Sequence, residues 1–181
     1  MFTAFLIPTG LRRPPGKLDE LALPAMKDRL RKQLVRRGLG HVAVIGSIDF
    51  SFNEDAEHRW SSHWQPHWQL AVTGCSERDL IGALKAHFPA DDAAPRPIYT
   101  SAIQDPIEQL SYLLKPFFSR RVSYIDDQGQ ANTRNAPLKP QQLTEIAVFM
   151  AQYEMTDRLF LQNVRRYGAR LVPNASIVRE A

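Results

Sequence analysis

The sequence predicts an α+β fold: an antiparallel sheet of split βαβ type with helices on one face, followed by a C-terminal helical extension. Three observations predict it. Over the first 118 residues, strand-like and helix-like stretches follow the order β-α-β-β-α-β-α. In the middle of that series, "HVAVIGSIDFSFNED" and "HWQLAVT" read as strands, joined by an acidic, polar hairpin loop. From residue 119 onward the apolar residues instead recur at helical spacing.

The elements follow in order. "FTAFLIP" is rich in aromatic and aliphatic residues and reads as the first strand, and "TGLRRPPGK" is a loop by its Pro and Gly content. A helix begins near Leu18 or at Pro24, a residue suited to a first helical turn. Met26, Leu30 and Leu34 share one face of it, and Gly38 and Gly40 end it. After the strand pair, "SERD" at residues 76–79 has capping-box form and opens a helix carrying Leu80, Ile81, Leu84 and Phe88. "IYTSAI" is a fourth strand. "DPIEQLSYLLKPFF" is a helix capped by Asp105, with Ile107, Leu110, Leu114 and Phe117 as its buried stripe. These elements are expected to form a ferredoxin-like or RRM-like domain over residues 1–118. Residues 119–181 are expected to form the helical extension, with one helix through Leu143, Ile146, Ala147 and Met150 and a second over "TDRLFLQNVRRYG". Those two helices make either a helix-turn-helix or a plain buttress; no glycine marks a turn between them.

Composition narrows the classes. Forty-four per cent hydrophobic and 23% charged residues are ordinary for a globular chain. No apolar run approaches the ~20 residues that span a bilayer. The charges near the N-terminus follow its short apolar patch, the wrong order for a secretory signal. Cys75 is the only cysteine, which excludes a disulfide framework and a cysteine-rich zinc site. A cytoplasmic location without membrane association is therefore expected. Charge is unevenly spread: residues 1–40 carry nine Lys/Arg against three Asp/Glu, whereas residues 41–100 carry four against eight. An acidic middle between basic ends suits a cation held beside a polyanion. On this reading Arg31, Lys32, Arg36 and Arg37 of the first helix, and Arg165, Arg166 and Arg170 of the tail, are candidate contacts to a polyanion; otherwise "KDRLRKQLVRR" is a solvated helix face.

Strand alternation selects the candidate chemistry. In "HWQLAV", His67 and Gln69 project from the face opposite Trp68, Leu70 and Val72; in the preceding strand, Asp49, Ser51 and Asn53 alternate with Ile48, Phe50 and Phe52. If the strands pair, Asp49 approaches His67 and Gln69. A carboxylate, an imidazole and an amide oxygen form a fairly hard ligand set suited to Mg²⁺ or Mn²⁺; without a metal they form a polar sheet face. A zinc site joining His58 and His63 to His67 is the other metal-binding arrangement. On the helix after the fourth strand, Tyr112 and Lys115 lie one turn apart, as a nucleophile and a charge-stabilising cation can, or as a surface pair does. Trp60, Trp64 and Trp68 serve either as stacking platforms for unpaired bases or as core and loop anchors.

In order, "GSIDFSFNE", "QPHWQLAV" and "SYLLK" resemble the three motifs of the HUH endonuclease superfamily, and most of all its rolling-circle replication initiators (Rep proteins) of plasmids and small phages. The resemblance spans roughly residues 41–118. It implies Asp49, His67 and Gln69 as metal ligands, Tyr112 as the catalytic nucleophile and Lys115 as its helper. It implies a divalent Mg²⁺ or Mn²⁺ cofactor and a single-stranded or hairpin DNA substrate nicked through a 5′-phosphotyrosine. The sequence departs from the family pattern in three places: Asp49 stands where Glu is common, Gln69 replaces the second His, and Pro116 directly follows Lys115. A degenerate, non-catalytic DNA-binding Rep and a transposase or relaxase of the same superfamily are the alternatives. No Gly-x-x-x-x-Gly-Lys-Ser/Thr sequence is present, so strand separation would fall to a separate helicase.

Overall fold

The computed structural model describes residues 1–113, 118–168 and 170–174. It is a mixed α+β structure with a curled, mostly antiparallel sheet and four α-helices: β1 (Phe2–Leu6), α1 (Leu23–Arg36), β2 (Ala43–Asp55), β3 (His63–Thr73), α2 (Glu77–Leu84), β4 (Ile98–Ala102), α3 (Pro106–Leu113), β5 (Ser119–Ile125), β6 (Ala131–Ala136), α4 (Pro140–Met150), β7 (Leu159–Gln162), β8 (Val164–Tyr167) and β9 (Arg170–Pro173). The main sheet runs β4-β1-β3-β2-β5-β6, with β7 also on β2; β8 and β9 form a separate two-stranded ribbon.

Period-two patterning sets the faces. In register, Leu6 lies opposite Trp68, Ala4 opposite Leu70 and Phe2 opposite Val72. With Val44, Ile48, Phe50 and Phe52 of β2 they form one buried layer. Met26, Leu30 and Leu34 of α1 and Leu80 and Leu84 of α2 complete that core. Ser76 Oγ accepts the Asp79 N–H at 3.1 Å and caps α2. Asp105 Oδ1 accepts the Glu108 N–H at 3.0 Å and caps α3.

Two features differ from expectation, and for two of the tryptophans the core alternative holds. The stripe on α3 is shifted: Ile107 is 82% exposed, and Leu113 is buried in its stead. Leu114, Lys115 and Phe117 lie outside the described residues. Trp64 and Trp68 are buried in the core, Trp64 edge-on to Phe52 at 5.0 Å, so neither can stack a base; Trp60 is partly exposed. Above all, residues 119–174 are not a helical extension. They contribute five strands and one helix, α4. β5 and β6 join in a hairpin whose turn is tied by Asp126 Oδ1, which accepts the N–H groups of Gln128 and Gln130. In place of a helix over "TDRLFLQNVRRYG" stand β7 and β8, turned apart at Asn163, whose φ is 54°. Pairing with β2 overrides a sequence compatible with helix, and no helix-turn-helix forms among the described residues.

Two strands share the outer edge of β2. β7 runs antiparallel along Val44–Ser47, and β5 runs parallel along Ser51–Asp55. The backbone of residues 48–50 is left between them. Arg158 Nε donates to the Ile48 carbonyl at 3.1 Å, and Asp49 Oδ1 accepts the Phe50 N–H at 2.9 Å. Side chains thus supply the bonds that a strand would otherwise make.

Glu54 fastens the C-terminal third to β2. It accepts from Arg120 Nη1 at 2.7 Å, Lys139 Nζ at 3.0 Å and Gln142 Nε2 at 3.0 Å. Glu54→Ala is expected to lower stability by about 2–4 kcal/mol, because it strands a half-buried guanidinium; urea unfolding with an unchanged slope checks it.

Acid sensitivity follows from the same group and its neighbours. Arg59 hydrogen bonds hold the Asp55 carboxyl below its usual range. For Glu54 and Asp91 burial acts upward but is outweighed, by Arg120, Lys139 and Gln142 in the first case and by Arg12 with backbone N–H groups in the second. A depressed acid contributes stability above its unfolded value, near 4, and loses it as pH falls through the folded value. Burial also depresses His63, so unfolding, which exposes a more basic imidazole, is favoured from about pH 6.5 downward. The urea midpoint is therefore expected to sag below about pH 6.5 and drop steeply below about pH 4, with the steep limb reduced in Asp55→Asn.

No helix among the described residues is long and apolar enough to cross a membrane.

Candidate functional site

The second face of the β2–β3 pair is polar along its length. Ser47 lies opposite Gln69, Asp49 opposite His67, Ser51 opposite Gln65 and Asn53 opposite His63. At its centre Gln69 Nε2 is 2.8 Å from Asp49 Oδ2 and 3.4 Å from His67 Nε2, and His67 Nε2 is 3.5 Å from Asp49 Oδ2. Asp49 and Gln69 are fully buried; the His67 side chain is 13% exposed and forms the opening to solvent.

Each member of this trio is oriented by something else. Asp49 Oδ1 faces the Phe50 N–H and, at 3.7 Å, Arg158 Nη2, which leaves Oδ2 toward Gln69 and His67. Arg158 is itself buried and packs over the Phe118 ring at 5.2 Å. Burial lowers its pKa, partly opposed by Asp49. His67 stacks on Phe5, and its Nδ1 lies 3.4 Å from the Gln65 carbonyl, so that Nε2 is turned inward toward Gln69 and Asp49.

The donor set fits a hard divalent cation. Adjacent ligands of an octahedral ion at 2.0–2.1 Å lie roughly 3 Å apart, comparable with the spacing of these three atoms. Gln69 Oε1 is buried and meets no hydrogen-bond donor among the described residues. Turning the amide by half a rotation would put that oxygen beside Asp49 Oδ2 and His67 Nε2. The three-histidine zinc alternative does not form. His63 is buried, bonded through Nδ1 to the Ser61 carbonyl at 2.8 Å and set against Trp60, and no three of His, Cys, Asp and Glu converge among the described residues.

Tyr112 reaches the same region from α3. The Ser47 hydroxyl donates to the Leu113 carbonyl and pins the end of that helix to β2. Tyr112, 51% exposed, lines a groove of about 550 Å³ together with His67 and Gln69. Lys115 lies outside the described residues. Sequence reading missed much of the groove wall: Arg59 and Arg96 from loops, and Arg121 and Asn135 from the β5–β6 hairpin. Alternation in "SRRVSYI" was the available signal for Arg121, concealed by reading the segment as tail.

The basic residues of α1 do not line this groove. Arg31, Lys32, Arg36 and Arg37 belong to the helical layer on the apolar face of the sheet or to its end, whereas the groove opens on the polar face. Arg165, Arg166 and Arg170 lie on the β8–β9 ribbon. Comparison of the chain with family models, curated proteins and solved structures gives no match.

Proposed function

We propose that the chain is a metal-dependent nickase of single-stranded or hairpin DNA of the HUH type, working as a rolling-circle replication initiator does. One observation carries the reading: Tyr112 lines the same groove as His67 and Gln69, with Asp49 directly opposite His67 in register. The strand order β4-β1-β3-β2, with α1 and α2 as the crossover connections, supports a ferredoxin-like split βαβ core.

Asp49, His67 and Gln69 would hold the cation, which when bound would supply Lewis-acid polarisation of a phosphate. Arg59, Arg96 and Arg121 offer charge to neighbouring phosphates, and partly exposed Trp60 offers a face to an unpaired base. The Tyr112 oxygen gives up its proton to solvent and attacks phosphorus, the P–O3′ bond breaks, and the 3′-oxygen takes a proton from solvent to leave as a hydroxyl. The products are a 5′-phosphotyrosine and a primer end, which replication, transposition or mobilisation can use. A separate helicase is the expected partner for strand opening.

The commitment of Asp49 Oδ1 to Phe50 and Arg158 favours a second reading, a DNA-binding module that has lost cleavage. A labelled single-stranded DNA library incubated with Mn²⁺ separates the two on a denaturing gel. A covalent adduct that EDTA abolishes supports the nickase; retention without an adduct supports the binding module.

A further inference from the structure

Arg158 is a buried charge in a place where a neutral donor would serve. It enters the notch that β7 and β5 leave in the outer edge of β2, and its Nε donates to the Ile48 carbonyl at 3.1 Å. A glutamine or asparagine amide can satisfy a carbonyl without charge. A guanidinium with its side chain only 5% exposed is costly to bury unless it is paired. Burial acts against its charge, and Asp49 acts for it. Nη2 stands 3.7 Å from Asp49 Oδ1, and the Phe118 ring, 5.2 Å from the guanidinium carbon, packs against its plane. The other oxygen of the same carboxylate, Oδ2, faces Gln69 Nε2 at 2.8 Å and His67 Nε2 at 3.5 Å. Asp49 therefore divides its two oxygens: one faces a fixed cation at the sheet edge, the other faces the trio that opens at His67.

We infer that Arg158 is a positioning residue for the cation centre: it supplies a permanent counter-charge at Asp49 Oδ1, commits Asp49 to ligation through Oδ2 alone, and keeps the divalent cation weakly held and exchangeable. The inference rests on the cation-binding part of the nickase reading and needs no tyrosine chemistry. A fixed positive charge one carboxylate away opposes a second positive charge, and does so most strongly in a buried site. The same charge lets the trio stay assembled without a cation, because a buried carboxylate with less compensation is costly. One guanidinium thus trades cation affinity for a preformed centre.

Mn²⁺ titration by paramagnetic resonance on the full chain tests this. Arg158→Gln is expected to tighten Mn²⁺ binding by at least about tenfold, Arg158→Lys to stay within about threefold of wild type, and Asp49→Asn to lose the site. A residue that merely packs would give the opposite sign, because its loss would loosen Asp49 and weaken binding. Arg158→Gln also disturbs the bond to the Ile48 carbonyl. A variant that does not fold by itself is expected to be restored by millimolar Mn²⁺ or by adding Asp49→Asn, each of which relieves the uncompensated carboxylate. Mn²⁺ binding in Arg158→Gln no tighter than in wild type overturns the inference. So does equal tightening in Arg158→Lys, or an Arg158→Gln chain that neither Mn²⁺ nor Asp49→Asn restores. In those cases, wild-type Mn²⁺ binding that Asp49→Asn abolishes still supports the cation site. Absence of Asp49-dependent binding from wild type and Arg158→Gln alike removes the site and this inference together.

Discussion

Tyr112→Phe is expected to abolish the covalent DNA adduct and to lower cleavage by at least about a thousandfold, since Tyr112 is the proposed source of the phosphotyrosine oxygen. The side chain is half exposed, so loss of the hydroxyl should cost at most about 1 kcal/mol of stability, and Mn²⁺ binding should persist because Tyr112 is not among the proposed ligands. Adduct yield, the thermal midpoint and Mn²⁺ titration by paramagnetic resonance read these outcomes separately. An adduct of undiminished yield in the variant would exclude Tyr112 as nucleophile, whatever the fate of the fold.

Gly46→Val should damage the fold more than any other single change considered. Gly46 pairs with Leu70 on one side and Phe160 on the other. A Cβ at this position would fall within contact distance of the Gln69 carbonyl oxygen, 2.6 Å from Leu70 Cδ2 and 2.9 Å from Leu70 Cα. Two of those obstacles are backbone, which cannot swing aside as a side-chain end can. A loss of about 3 kcal/mol or more is expected, with Gly46→Ala giving a smaller loss. Moving the β3 backbone here also moves Gln69, so cation binding should weaken in the alanine variant even where it remains folded. Urea midpoints close to wild type in both variants would show that β3 accommodates the added carbons.

The parts that local pattern dictates were legible in the sequence. Alternation in "GSIDFSFNE" and "HWQLAV" distinguishes the core-facing Ile48, Phe50, Phe52, Trp68 and Leu70 from Asp49, His67 and Gln69, and the observed register places the latter three within 2.8–3.5 Å. The α1 stripe and the Ser76 cap are also local and form as read. What escaped depends on distant partners. "LFLQNVRRY" lacks Gly and Pro and fits a helix until β2 offers it an edge. Ile107 has the spacing of a core residue, yet α3 turns Leu113 inward. Arg158 reads as one more surface charge, and only a contact across 110 positions, to the Ile48 carbonyl, reveals it as buried.

The divided outer edge of β2 has a consequence for synthesis on the ribosome. A nascent chain that has emerged as far as residue 118 can already bring Asp49, His67 and Gln69 together. The strands that flank Asp49, and the guanidinium between them, arrive only with residues 119–162. The surroundings of Asp49 are therefore completed last, and a product released early would lack the outer edge of β2 that encloses it.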